Sequence, residues 1–386
     1  GVPVSPKNIF PSNIQGLPTW FEVRVSEKGY LGRREGVDIV VAMNPQSYNQ
    51  DLMELNSGGY LLYDSSWKRD FQRSDINVIE IPLTKLCVEE FSNPKQRLLF
   101  KNIVYVGALS YLLDMDKEIY EILIKEQFKG KEKLIDPNVK ALNLGYDYAR
   151  ENLKEICEIK IETSDNTKGM ILTSGNDASG LGCVYGGATV CAWYPITPST
   201  SLAEAFTDYS EKLRVEEETN KNKYAIIQAE DELAAVGMAI GANWNGARGF
   251  TATSGPGISL MSEFIGLAYF AEVPLVLFDI QRGGPSTGMP TRTQQSDVLS
   301  CAYASHGDTK HVLLIPSDPK ECFEFAAEAF DLADRIQTPV IVLSDLDLGM
   351  NDWTCPEFKW DDTKSFDKGK VLHAKDLEEI ENFGRY

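Results

Sequence analysis

The stretch from Tyr224 to Gly257, YAIIQAEDELAAVGMAIGANWNGARGFTATSGPG, restricts the fold more than any other part of the chain. Its first six residues, YAIIQA, have the bulk and brevity of a buried strand. Glu230, Asp231 and Glu232 follow where a helix must begin, and carboxylates suit that place because free N–H groups and the helix dipole favour negative charge. From Leu233 to Ala247 no residue is charged, so the predicted helix has no face made for water and is expected to be buried all round. Gly237 and Gly241, one turn apart, would let another backbone approach closely. Gly249–Ser254 then reads as a second strand, and Gly255-Pro256-Gly257 as the turn into a further helix. N-capping accounts for Glu230 and Asp231. Glu232 is harder to dismiss, because the apolar run begins directly after it. A carboxyl group there is expected to be partly desolvated and to seek a specific partner.

Around this stretch the chain alternates strands and helices. The opening GVPVSPKNIFPSN reads as loop chemistry, and without an initiator Met it suggests a processed or incomplete chain. Phe21–Ser26 alternates like a strand. Val37–Met43, a helical QSYNQDLMEL and Gly59–Tyr63 then give β-α-β order, which implies a parallel sheet, and Asn77–Pro82 adds a strand. Helical patterns cover Gln96–Leu113, Lys117–Phe128 and Asn138–Leu153. No intact GxGxxG occurs; Ser57-Gly58-Gly59 reads as a turn, and Gly32-Arg33-Arg34 as a solvated loop. The charged segment Glu151–Lys168 reads as a linker. A second α/β series opens at Met170–Ser174. Its strand Ala188–Trp193 runs into Tyr194-Pro195-Ile196-Thr197-Pro198-Ser199, where two prolines stiffen the backbone under the Thr197 hydroxyl. Ligands in open parallel sheets sit beyond the carboxyl ends of strands, which makes Thr197 a candidate contact; Ser199 reads as a helix cap. Pro274–Ile280 is another buried strand, leading into a Gly/Pro/Thr loop that carries Arg282 and Arg292. Arginine in such a loop suits a carboxylate or phosphate, the alternative being two exposed side chains. His311–Ile315, a helix over Pro319–Arg335 and Pro339–Leu343 complete the series.

Composition narrows the function. With 38 Lys+Arg against 57 Asp+Glu the net charge is −19, which argues against nucleic acid and implies that an acidic electron carrier would dock on another subunit. The seven cysteines are scattered without a CxxC pair, so neither a zinc site nor an iron–sulfur cluster is expected here, and an odd, dispersed set suits reduced thiols in a cytosol. The longest apolar runs are broken by Glu272 and Pro274, so no membrane span is expected. His306, His311 and His373 stand apart and build no triad or metal site.

Three segments, SGNDASGLGCVYGGATVCAWYPITPSTSLAEAF, QAEDELAAVGMAIGANWNGARGFTATSGPG and DIQRGGPSTGMPTRTQQSD, resemble the α subunit of 2-oxoacid:ferredoxin oxidoreductases, most closely the 2-oxoglutarate type. The opening motifs NIFPSNIQGLPTWFEVRVS and VDIVVAMNPQSYNQDL resemble the γ domain often fused ahead of it. The resemblance implies an α/β fold: a γ-like domain lacking its first βα unit over residues 1–155, a linker over 156–168, a thiamine-diphosphate-binding (pyrimidine-type) domain with a parallel sheet and helices on both faces over 169–350, and a tail over 351–386 leading toward a further domain.

The same resemblance implies an activity: oxidative decarboxylation of a 2-oxo acid with coenzyme A, giving acyl-CoA and CO2 and reducing ferredoxin, reversible in principle. A protein carboxyl group there hydrogen-bonds the aminopyrimidine ring of thiamine, a role that falls on Glu232 with Glu230 as the alternative. Thr197 is implied as a substrate contact, and Arg282, then Arg292, as the partner of the 2-oxo acid carboxylate. Tyr194, Pro195, Ile196, Ser254 and Gly255 are implied to line the cofactor. The chain lacks the GDG…N signature for Mg2+ and diphosphate and lacks cluster cysteines. In the family both belong to the β subunit, so the resemblance implies a cytoplasmic heteromer, an αβ dimer of dimers, with the 4Fe-4S iron–sulfur cluster and the ferredoxin contact on β. Two other readings stay open: a transketolase- or decarboxylase-like thiamine enzyme without electron transfer, and a non-catalytic assembly subunit of the same fold.

Overall fold

The computed structural model describes residues 1–11, 17–366 and 372–384, so the SNIQG of the opening motif and part of the tail lie outside the described residues. The chain forms two compact units, Gly1–Val2 with Gly32–Asp165, and Pro3–Leu31 with Asn166–Tyr386. Its first elements belong to the second unit. β1 (Val4–Ile9) and β2 (Trp20–Val25) are an antiparallel pair, with Val4 opposite Val25 and Ile9 opposite Trp20. This corrects the reading of the opening as loop; residues 3–31, expected in the first domain, cluster with the second unit. Proline on a strand is tolerated at an edge, where its missing N–H breaks no ladder, and Pro6 lies in a two-stranded ribbon.

In the first unit β3 (Val37–Ala42), α1 (Tyr48–Glu54), β4 (Leu55–Asp64) and β5 (Asn77–Ile81) build the expected parallel sheet, in the order β3-β4-β5. The Ser57-Gly58-Gly59 segment, expected as a turn, lies within β4. The helices α2 (Leu83–Glu90), α3 (Pro94–Leu112), α4 (Lys117–Gln127) and α5 (Ile135–Asn152) follow, and Leu62, Ile79, Ile81, Phe100 and Val104 share one core. α3 and α5 approach backbone to backbone. A Cβ on Gly107 would collide with the Leu142 carbonyl of α5, and one on Gly145 with the Val104 carbonyl of α3.

The second unit continues with β6 (Met170–Ser174), α6 (Gly175–Tyr185), β7 (Val190–Trp193), α7 (Thr200–Leu213), β8 (Ala225–Gln228), α8 (Glu232–Trp244), β9 (Gly249–Thr253), α9 (Gly255–Phe270), β10 (Leu275–Gln281), α10 (Val298–Ala302), β11 (Val312–Leu314), α11 (Pro319–Ile336), β12 (Pro339–Asp345), α12 (Leu346–Met350), β13 (Asp352–Pro356) and α13 (Ala374–Glu379). Six strands make a parallel sheet in the order β11-β12-β10-β9-β7-β8. β10 shows why both faces are covered: Val276, Phe278 and Ile280 join a core with Phe206, Phe250 and Phe330, while Leu275 and Leu277 join another with Val236, Met261 and Ile265. β6, read as the first strand of this series, instead pairs antiparallel with β13 outside the sheet.

The opening hairpin is tied to β13 and α12. Lys7 Nζ bonds both carboxylate oxygens of Asp347 (2.8 and 2.7 Å) and lies 4.3 Å from the centre of the Trp353 ring. Asn8 N donates to Asn351 Oδ1 (2.8 Å), and Thr354 Oγ1 donates to Val4 O (3.2 Å). A bonded ammonium is what permits a lysine to be buried. α8 departs from the expectation of all-round burial, for Leu233, Met238 and Trp244 project from it into solvent.

Replacing Gly145 by Ala is expected to destabilise the first unit by about 1–3 kcal/mol, because rigid backbone stands where the methyl group would go. Urea unfolding measures the change.

Candidate active site

A topological switch point lies between β7 and β9. From β7 the chain passes outward to the edge strand β8, then returns to β9 on the other side. The crevice beyond the carboxyl ends of such a pair is where open parallel sheets take ligands. The residues leaving β7 are Tyr194 to Thr197, and those leaving β9 are Ser254 and Gly255.

The turn after β7 is rigid. Ser199 N and Thr200 N both donate to Ile196 O (2.8 and 3.2 Å), Ile196 N donates to Thr200 Oγ1 (3.1 Å), and the Thr197–Pro198 bond is cis. The fully buried Asn176 holds the turn from beneath, donating to Pro198 O and to Ser201 Oγ (2.8 Å each). Ser199 sits at the N-cap position of α7 without the expected capping bond, its hydroxyl donating to Ile196 O (3.1 Å). Thr197 is exposed, as is Pro195, and Tyr194 and Ile196 are half-buried.

The three acids before α8 divide their tasks. Glu230 is exposed, Asp231 caps the helix by accepting from Ala234 N (2.7 Å), and Glu232 turns inward with 7% of its surface exposed. Space for Glu232 comes from Gly257, where a Cβ would stand 3.0 Å from Glu232 Cγ and would overlap the Thr253 hydroxyl. No hydrogen-bond donor among the described residues reaches the Glu232 carboxylate, and Ser254, fully buried at the start of α9, has a hydroxyl without a partner.

The two loop arginines separate. Arg282 is 5% exposed and donates through Nη1 to Thr197 O (2.6 Å) and through Nη2 to Thr287 O (2.5 Å), while its Nε finds no partner. Burial lowers its pKa, and the carboxylates of Asp297 and Glu232 oppose that. Arg292 is exposed and donates to Phe10 O (2.9 Å) and to Thr291, toward the opening hairpin. The structure therefore brings together Glu232, Ser254, Gly255, Thr197 and Arg282, and leaves Glu230 and the guanidinium of Arg292 outside.

Two acids at this crevice had no role in the sequence reading. Asp297 lies with Oδ2 2.6 Å from the place of a Cβ on Gly255. Asp279, fully buried on β10, accepts from Cys301 Sγ (3.4 Å), and burial, then the nearby Asp297, pushes its carboxyl well up. A signal was available for Asp297, which closes the loop that Arg282 opens.

The chain is an α/β protein whose parallel sheet carries the buried Glu232 and Arg282 at its switch point, the place where such sheets take ligands. Residues 181–378 match the family model described as "Pyruvate flavodoxin/ferredoxin oxidoreductase, thiamine diP-bdg", and residues 1–148 match "Pyruvate ferredoxin/flavodoxin oxidoreductase". The α subunit of 2-oxoacid:ferredoxin oxidoreductase 2 from Aeropyrum pernix is 33% identical over 87% of the chain and 59% of its own length. The 2-oxoglutarate oxidoreductase subunit KorA of Mycobacterium tuberculosis is 33% identical over 87% of the chain and 54% of its own length. The 2-oxoglutarate:ferredoxin oxidoreductase of Magnetococcus marinus, solved with 2-oxoglutarate, coenzyme A and succinyl-CoA bound, superposes with a TM-score of 0.84 at 30% identity over 97% of this chain and 64% of that one. The chain belongs to the pyruvate/2-oxoacid:ferredoxin oxidoreductase family and contains its thiamine-diphosphate-binding domain. It spans between about half and two thirds of the length of these relatives. Among the described residues no helix is long and apolar enough to cross a membrane.

Gly257→Ala is expected to displace Glu232 and Thr253 and to cost about 1–3 kcal/mol of stability, read as a fall in the urea midpoint of the second unit.

Proposed function

We propose that the chain is the α-type component of a 2-oxoacid:ferredoxin oxidoreductase that converts a 2-oxo acid, 2-oxoglutarate foremost, and coenzyme A to acyl-CoA and CO2, the two electrons passing to ferredoxin. The observation that carries this reading is Glu232, a buried carboxylate with no protein donor among the described residues, at the switch point beside Arg282. The names of the relatives support the substrate class, since KorA of Mycobacterium tuberculosis is a 2-oxoglutarate oxidoreductase subunit and the Magnetococcus marinus enzyme holds 2-oxoglutarate and coenzyme A.

The crevice fits the ring end of thiamine diphosphate. Glu232 offers a carboxyl to the aminopyrimidine, and the partnerless Ser254 hydroxyl offers a further polar contact in a dry site. Bound thiamine diphosphate supplies the carbon nucleophile for the 2-oxo group and the electron sink that lets CO2 leave. The work of this chain is to hold and orient. Glu232 holds a proton in place at the ring nitrogen. Arg282, with Nε unused, meets the substrate carboxylate, and Thr197, whose carbonyl Arg282 bonds, offers its hydroxyl from a hydrogen-bonded turn.

The same reading assigns Mg2+, the diphosphate grip, the 4Fe-4S cluster and the ferredoxin contact to a β subunit, in an αβ dimer of dimers in the cytoplasm. Exposed apolar side chains suited to contact with that subunit stand on the two helices that start at the site. They are Leu233, Met238 and Trp244 of α8 with Leu260, Leu267 and Phe270 of α9, the last 88% exposed. A helix with no charge and an open face has its burial completed by a partner.

Glu232→Gln in the complex reconstituted with its β subunit is expected to lower turnover of 2-oxoglutarate with a ferredoxin-like dye by about 10²-fold or more. Activity that survives the substitution makes the chain an assembly subunit, and an active complex free of iron makes it a transketolase-like enzyme. Phe270→Glu is expected to abolish co-purification of the two subunits while leaving the chain folded by circular dichroism.

A further inference from the structure

The hairpin that opens the second unit wears its apolar face outward. Along β2, Phe21 (62% exposed), Val23 and Val25 face solvent, while Glu22 and Arg24 are half-buried and share the inward face with Ser5 and Lys7 of β1, both buried. The backbone divides in the same way. Ser26 N donates to Pro3 O (3.3 Å), and residues alternate in direction along an antiparallel ladder. Glu22 and Arg24 therefore turn their N–H and C=O groups to β1, and Phe21, Val23 and Val25 turn theirs away from it. The far edge of β1 is covered, for Val4 O accepts from Thr354 Oγ1 (3.2 Å) and Asn8 N donates to Asn351 Oδ1 (2.8 Å). Among the described residues no strand pairs with the outer edge of β2. Free edges are ordinarily blunted by proline, an exposed lysine or a bulge, and WFEVRV has none of these.

We propose that this edge docks a second copy of the chain, β2 running antiparallel to β2 about a twofold axis at Val23. The strand is complementary to itself in that register. Glu22 of each copy stands opposite Arg24 of the other, Phe21 opposite Val25, and Val23 opposite its own counterpart. The outward N–H and C=O groups of Phe21, Val23 and Val25 all find main-chain partners, and the two hairpins become one sheet. The neighbouring registers that keep the ladder set Glu22 against Glu22 or Arg24 against Arg24, and like charges directly opposite each other disfavour them. The contact joins two α chains and stands whatever the chemistry of the crevice.

The test is sedimentation velocity of the full chain over a concentration series, where wild type is expected to show a monomer–dimer equilibrium. Val23→Pro is expected to raise the dimer dissociation constant about tenfold or more, because proline removes an N–H that the edge uses and β1 does not. Glu22→Arg is expected to weaken the dimer likewise, and the exchange Glu22→Arg/Arg24→Glu to return it to within about threefold of wild type. Damage to the hairpin would not be repaired by that exchange, which also decides the matter if Val23→Pro is unfolded by circular dichroism. The seven natural cysteines are buried, so Val23→Cys puts a reactive thiol on the axis, and a short bismaleimide is expected to link two chains through it. A wild-type chain that stays monomeric, a folded Val23→Pro dimer as tight as wild type, or an exchange that restores nothing overturns the proposal. Loss of the β subunit from Val23→Pro with dimerisation intact overturns it too, and gives the edge to that subunit.

Discussion

The guanidinium of Arg282 is the tie on which the crevice depends. It leaves the end of β10 and bonds the Thr197 carbonyl beyond β7 and the Thr287 carbonyl of its own loop, so one side chain joins two strand ends and a loop that do not pair directly. The carboxylates of Glu232 on α8 and of Asp297 at the head of α10 add to the field around it and favour its charged form. In a low-dielectric crevice each of these interactions is stronger than it would be in water, and a partner left without its counterpart is costly. The geometry of the site is therefore collective. One cation bonds both the turn that Asn176 holds and the loop that Asp297 closes.

The second unit is held together at its other end by different physics. There Lys7 is sandwiched between the Asp347 carboxylate and the Trp353 ring, binding the first strand of the chain to elements more than three hundred residues later. The unit is thus a long loop in sequence closed by a buried charge. The outward face of α8 and α9 shows the complementary case. Leu260, Leu267 and above all Phe270 leave much of their surface exposed, although their composition is that of a core.

Much of the fold was legible because local patterns repeat. Apolar runs such as Leu275–Phe278 marked the central strands, and the alternation with helices implied a parallel sheet with both faces covered. Asp231 as a cap followed from its place before a helix. The inward turn of Glu232 was legible because no charged residue follows it for a full helix. The misses share one cause. β1 was read as loop because Pro6 and Lys7 look like surface chemistry, and β6 was placed in the main sheet because its partner β13 lies in a tail that reads as mixed charge. Arg282 was preferred to Arg292 only through the family resemblance, and the fold turns the first into the crevice and the second toward Phe10.

By itself the sequence determined the kinds of elements, their order, the family resemblance and the short list of side chains able to do chemistry, since these follow from periods of two and 3.6 residues and from motifs a few residues long. The tertiary structure alone decided which distant groups meet: Arg282 with Thr197, Asp297 with Gly255, Lys7 with Asp347. Such pairings depend on strand order and on the space each glycine leaves, and neither is a local property of the chain. Burial of charge is settled in the same way, because whether a carboxylate sits in water or against a guanidinium is fixed only when separate segments close around it.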